Sequence, residues 1–267
     1  MCAGVLGTNT LLLREAIRIA DGSLVNLNLD AGRGIKDHTN LRVNVKSSKK
    51  IGSLNEINAS FLRKAWLAIR HAIGMWTLMR GTGSTATANI DIDGDGVVDT
   101  RINLLRFFEA GRMGTTGKLF ASSSPGFSIS ITQINPKSYG SLKLLKSELL
   151  LEPNYLSDTF DIEHLKLVLD SVVRLLGTPP LSHFVDSIEN IEVIKNTPEK
   201  YIIENTYSGY HLIGGCASLL GKNFEVGRYK NLFACDASAI EEYPSSNIHS
   251  TIVILADLCA RKFISLQ

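Results

Sequence analysis

The sequence predicts a mixed fold, α/β plus α+β, on three observations: a strand–turn–helix signal at the start, period-two strands in the middle, and an amphipathic helix before the last third. Residues 1–20 read as a short apolar strand, a turn at Gly4 and Gly7, and a helix. The apolar positions of that helix include Leu12, Leu13, Ile17 and Ala20, and Asp21-Gly22 ends it. Leu41, Val43 and Val45 alternate with Arg42 and Asn44, which is the pattern of a strand with one buried face. Phe127, Ile129 and Ile131 alternate with Ser128, Ser130 and Thr132 in the same way. The turn Asn135–Gly140 then leads to Leu142 and Leu144, so 127–144 is expected to be a hairpin. From Asp161, the residues Leu165, Leu169, Val172 and Leu176 share one helix face, and Gly177 with Pro179-Pro180 stops the helix.

Length and composition set the class. At 267 residues, 44% hydrophobic and 20% charged, the chain has enough material for one large or two modest packed domains. A formal charge of +2 with mixed signs gives no electrostatic case for nucleic acid. The four cysteines lack metal-type or disulfide-framework spacing, so reduced thiols and a cytoplasmic protein are expected. The segment Phe61–Met79 is the most apolar, but Arg63, Lys64, Arg70 and His71 interrupt it and no transmembrane segment is expected. A helix buried on one side is the expectation there, with an interfacial helix as the alternative.

Three patterns near the end are chemically informative: Tyr210–Cys216 with its H-x-x-G, Asp236-Ala237-Ser238 after an apolar run, and Pro244–Thr251 containing Asn247 and His249. Their order and spacing resemble the C-terminal part of the glucose-methanol-choline (GMC) family of FAD-dependent oxidoreductases. Met1–Thr8 likewise resembles the family's A-G-x-x-G-[ST] turn, and Gly32–His38 its G-x-N-L-x-D-H segment, with Gly34 in the usual Asn place. The resemblance runs over nearly the whole chain yet matches only the later part of a full family member, as a fragment would. No G-x-G-x-x-G follows a strand, so the turn that would cradle the FAD pyrophosphate is not found.

The resemblance implies a remnant of a doubly wound FAD-binding domain with a mixed-sheet substrate-binding domain. Residues 1–45 would be part of the FAD-binding domain, 46–200 the substrate-binding domain, and 201–267 the return segment carrying the catalytic residues. It implies oxidation of the CH–OH group of an alcohol or sugar, with His211 as base, Asn247 sharing the substrate oxygen, and hydride transfer to flavin N5. Imidazole suits the proton step because its unperturbed pKa lies near neutrality. Ala3, Gly4, Asp236, Ala237, His249 and Ser250 would contact FAD. A separate chain supplying the nucleotide-binding half is the implied partner, and without that half the chain is expected to bind no stoichiometric flavin and to turn nothing over. The alternative is a flavin-free remnant that only binds a ligand or partner. Phe224-Glu225-Val226 is shorter than the family's pattern at that place, and Glu241 replaces a common proline.

Asp91, Asp93, Asp95 and Asp99 fall at positions 1, 3, 5 and 9 of a calcium-type loop with Gly96 at position 6, but Ile102 stands where position 12 requires an acid. Val98–Arg101 also resembles the family's lead-in to a substrate-domain strand, and on that reading no metal is expected.

Overall fold

The computed structural model describes residues 4–14, 16–18, 22–26, 29–77, 80–81, 83–108, 125–145, 148–227, 229, 232–245 and 247–265. In chain order the elements are α1 (Gly4–Leu13), β1 (Ala16–Arg18), β2 (Leu24–Asn26), β3 (Arg33–Lys36), β4 (Thr39–Lys46), α2 (Leu54–Asn58) and α3 (Phe61–Ala72). There follow β5 (Ser84–Ile90), β6 (Thr100–Leu105), β7 (Gly126–Gln133), β8 (Gly140–Leu145), β9 (Glu148–Glu152), α4 (Thr159–Leu176) and β10 (Ser187–Ile188). The last are α5 (Ile191–Asn196), α6 (Pro198–Asn205), β11 (Tyr207–Ser208), β12 (Ile213–Gly215) and α7 (His249–Ser265). They form two compact units. One gathers Met1–Thr39, Ile134–Asp161 and Ser208–Gln267; the other gathers Asn40–Gln133 and Ile162–Tyr207. These units do not follow boundaries at 45 and 200, because 134–161 joins the two end segments.

In the first unit the sheet order is β12-β3-β8-β9, with antiparallel pairing throughout. Val5, Ile35, Leu142, Ile213, Ile240 and Ile248 bury one cluster among these elements. Asn9, itself buried, ties the two ends of the chain together. Its amide donates to the carbonyls of Val5 and Gly214, and its Oδ1 accepts from Gly32 N–H. Of the paired glycines after His211, Gly215 answers to that contact and Gly214 to the Gly34 carbonyl beside it. Gly214 and Gly215 have φ of +83° and +93°, and a Cβ on Gly215 would run into the Asn9 amide.

In the second unit the strand order is β10-β4-β7-β6-β5. Leu41, Val43 and Val45 on β4 are buried as the alternation predicts, and so are Leu165, Leu169, Val172 and Leu176 on α4. A capping box of Ser53 and Glu56 starts α2.

Several expectations are corrected. The first helix ends at Leu13, and Ala16–Arg18 is a strand paired antiparallel with Leu24–Asn26, so Ile17 lies outside the helix; the strand expected before Gly4 falls outside the described residues, as do Ala20 and Asp21. The 127–144 hairpin does not form, since β7 and β8 belong to different sheets. The reason lies in the connecting turn: the buried Asp161 carboxylate accepts the Lys137 and Ser138 N–H groups, both at 2.8 Å, and the Ser138 hydroxyl accepts Asp158 N–H. Nor is β7 half-buried. Ser128 and Ser130 are buried too, because β7 is an inner strand, and the Ser128 hydroxyl lies 2.7 Å from both Asn44 Oδ1 and the Phe107 carbonyl. Helix α3 buries none of its residues, contrary to the expected one-sided burial.

The thiol expectation is corrected as well: Cys235 and Cys259 pair as a disulfide, their Cα atoms 6.2 Å apart, while Cys216 is free and buried. Their 24-residue separation hides the pairing in sequence, because only the return of α7 brings Cys259 to Cys235. Closing a loop of that size should contribute about 3 kcal/mol. Reduction, or Cys235→Ser with Cys259→Ser, should therefore lower the thermal midpoint by several degrees; an unchanged midpoint would show that the bridge does not form.

Candidate active site

The end of β3 delivers Asp37 and His38 in tandem, and both side chains are buried. A buried carboxylate is tolerated only when its oxygens are satisfied. Here Asp37 Oδ1 accepts the His211 backbone N–H at 2.9 Å, and Oδ2 accepts the hydroxyls of Tyr155, at 2.7 Å, and Ser208. One side chain thus fixes the backbone of His211 and two surrounding hydroxyls. The main chain repeats the tie, with Gly209 N–H donating to the His38 carbonyl at 2.7 Å.

His38 and His211 face each other through their Nδ1 atoms, 3.0 Å apart, with ring planes at 90°. When both rings are neutral, one Nδ1 must carry the proton and the other must accept it. If His211 donates, its Nε2 has a lone pair; if His38 donates, His211 carries its proton on Nε2. The Tyr243 ring stacks on His38 at 4.0 Å, and its hydroxyl donates to the His211 carbonyl at 3.3 Å. Burial pushes the hydroxyls of Tyr155 and Tyr243 well above the ordinary tyrosine range, with the nearby Asp37 charge adding to it. Both therefore serve as neutral donors. Tyr243 also lines a cavity of about 550 Å³ with Lys36, Asn135, Lys137, Tyr139 and Glu242, whose lining does not include His211.

The other residues singled out by sequence are placed as follows. Asn247 is exposed just before α7, and His249 and Ser250 are exposed on its first turn, while Ile248 between them is buried in the cluster that holds Ile213. Asp236 caps the short turn Ala237–Ala239, its Oδ1 accepting Ser238 N–H at 2.9 Å, and its Oδ2 accepts the Thr8 hydroxyl of α1. Gly4 opens α1, and Ala3 lies outside the described residues. The structure thus brings His211 to Asp37 and His38, and Asp236 to Thr8. The parts played by Asp37, His38, Tyr155, Ser208 and Tyr243 around His211 were missed; the one available signal was the Asp37-His38 pair within the D-H pattern.

The acidic loop closes on itself. Asp91 accepts the N–H groups of Gly94 and Gly96 at 2.7 Å, which hold its carboxyl below the usual range, Asp93 accepts from Asp95, and Asp95 accepts from Val97. Asp91, Asp93 and Asp99 cluster within 4.8 Å, without Asp95.

Residues 136–256 match the family GMC oxidoreductase. The sequence similarity to the GMC oxidoreductases therefore rests on that C-terminal segment. A solved structure of formate oxidase superposes with a TM-score of 0.79 at 13% identity, over 91% of this chain and 48% of its own. Pyridoxine 4-oxidase from Mesorbium loti gives 0.75 at 19%, over 99% and 50%, and a fungal aryl-alcohol oxidase 0.69 at 13%, over 90% and 49%. These likenesses show the fold, and the chain spans about half the length of the structures it matches. A comparison with curated protein sequences gave no match.

The tyrosines around Asp37 make the site alkali-sensitive. Their folded-state pKa values are raised above the unfolded value of about 10, so the folded chain holds these protons more tightly. Their contribution should be complete below pH 10 and be lost as pH rises beyond it. Denaturant midpoints measured from pH 8 upward should fall above pH 10, and Tyr155→Phe should flatten part of that fall; a flat profile would contradict the burial of these hydroxyls.

Proposed function

We propose that this chain forms the substrate-side half of an FAD-dependent oxidoreductase acting on the CH–OH group of an alcohol or sugar, with His211 as the base. The observation that carries the proposal is the double hold on His211: its backbone on Asp37 and its Nδ1 on His38. In the active arrangement His211 Nδ1–H donates to His38 Nδ1, and His211 Nε2 keeps the lone pair that takes the substrate hydroxyl proton. Asn247, at the lead-in to α7, orients the same oxygen. Asp37 fixes the backbone from which the imidazole projects, and the His38 contact holds the ring itself.

When bound, FAD supplies the two-electron acceptor. The residues present fit its reactive end: a Cβ on Gly4 would meet open space, and Ser250 and His249 are exposed on the first turn of α7, whose N–H groups favour electron-rich atoms. Asp236 and Ala237 would add contacts through their backbone. The pyrophosphate cradle belongs to a nucleotide-binding half outside this sequence, in the same polypeptide or on a partner chain. The matched structures support the class, since formate oxidase, pyridoxine 4-oxidase and aryl-alcohol oxidase are all named as oxidases.

In the flavin-loaded enzyme, His211→Ala should lower kcat about 10²–10⁴-fold while leaving the bound-flavin spectrum unchanged. The 267-residue chain alone should purify without stoichiometric flavin. Full activity in His211→Ala would remove the assigned base, and one equivalent of flavin on the isolated chain would show that the nucleotide cradle lies within it.

A further inference from the structure

Helix α3 is turned inside out relative to an ordinary surface helix. Its large side chains face solvent: Phe61 is 81% exposed, Leu62 78%, Trp66 59% and Ile69 52%, and Ile73 and Trp76 just beyond the helix reach 65% and 66%. At 3.6 residues per turn, Phe61, Leu62, Ala65, Trp66, Ile69 and Ile73 fall within an arc of roughly 140°. Arg63 and Arg70 stand along one border of that arc and Lys64 along the other. Leu67, Arg70 and His71 are half-buried instead, so the polar side is the one turned toward the rest of the unit.

The C-terminal end of the helix is held in place. Arg80 donates to the carbonyls of Gly74 and His71, and His71 Nδ1 lies 3.2 Å from the Thr77 hydroxyl. Ser60 caps the other end by accepting Arg63 N–H. The outward apolar face is therefore a feature of an ordered helix.

Charge identifies what covers it. From Ile57 to Ile90 the sequence has no Asp or Glu, while Arg63, Lys64, Arg70 and Arg80 all fall in that stretch; Arg63 pairs with Glu56 just before it, so the stretch stays net cationic through the other three. The bias is local, since the whole chain carries only +2. The apolar arc and its cationic border together complement an apolar layer faced with negative charge. A bilayer with anionic headgroups needs both, and tryptophans sit preferentially at the depth where headgroups meet acyl chains. At 12 residues the helix is too short to span, and among the described residues no helix is long and apolar enough to cross a membrane.

We propose that α3 and the Ile73–Trp76 segment form an interfacial anchor that lies flat on an anionic phospholipid bilayer, with Phe61, Leu62, Trp66, Ile69, Ile73 and Trp76 inserted. This surface is independent of His211 and of flavin.

The test uses the whole chain with vesicles of phosphatidylcholine, alone or with roughly one-third phosphatidylglycerol. Co-flotation should favour the anionic vesicles by about tenfold or more, with a blue shift of tryptophan emission and release at high salt. Ile69→Glu with Ile73→Glu should abolish flotation and shift alike; both positions are exposed, and circular dichroism confirms that the variant is folded. Equal or absent association with the two vesicle types would overturn the proposal, as would undiminished binding by the folded variant. A lipid-free dimer that the same variant dissociates, without anionic-vesicle binding, would assign the face to a second copy of the chain and overturn it equally.

Discussion

The carboxylate of Asp37 is the constraint on which the candidate site depends. A buried charge must be satisfied where it stands, and the donors that satisfy it come from three parts of the chain: Tyr155 after β9, Ser208 at the end of β11, and the backbone of His211. Hydrogen bonds to a charged group contribute about 1.5–3 kcal/mol each, so separating any of these parts from β3 leaves a costly orphan. Asn9 does for the backbone what Asp37 does for the side chains, binding α1, the approach to β3 and β12 through one amide. Gly215 follows from that contact, and Gly214 from its close approach to the Gly34 carbonyl. The H-x-x-G-G pattern is thus as much a packing solution as a chemical one.

Legibility in the sequence followed the range of the forces involved. Strand β4 and helix α4 were readable because their burial follows their own periodicity. The hairpin was misread because Asp161, more than twenty residues downstream, takes the turn's N–H groups and sends β8 to another sheet. The first helix was placed too late, since Gly4 and Gly7 lie inside it and not in a turn, and was carried too far, because Ile17 fits a helical period and a strand equally well; pairing with Leu24–Asn26 decides its end. For α3 the periodicity was correct and the direction was not, since a helical pattern does not say which side meets the protein. At the candidate site, His211 was singled out through motif order. The roles of Tyr155 and Tyr243 had no local signal, because each is defined by a contact made far along the chain.

The proposed chemistry divides across the sequence in a physically sensible way. Placement of a base needs rigid, buried support, and this chain provides it around His211. Affinity for a dinucleotide needs a glycine turn on a helix N-terminus, and no G-x-G-x-x-G follows a strand in this sequence. The outward face of α3 adds a second surface with its own logic, since its apolar arc and cationic border are unrelated to the site's hydrogen bonds.

The central claim is that His38 Nδ1 accepts the His211 Nδ1 proton and so leaves the lone pair on His211 Nε2, while Asp37 fixes the backbone beneath the ring. Nitrogen-15 NMR of the histidine rings in the labelled chain, above the pH at which either ring is protonated, reads this directly. The account predicts a His211 with a protonated Nδ1 and an unprotonated Nε2, and loss of that preference in a folded His38→Phe variant. A His211 carrying its proton on Nε2 in the unaltered chain would contradict it.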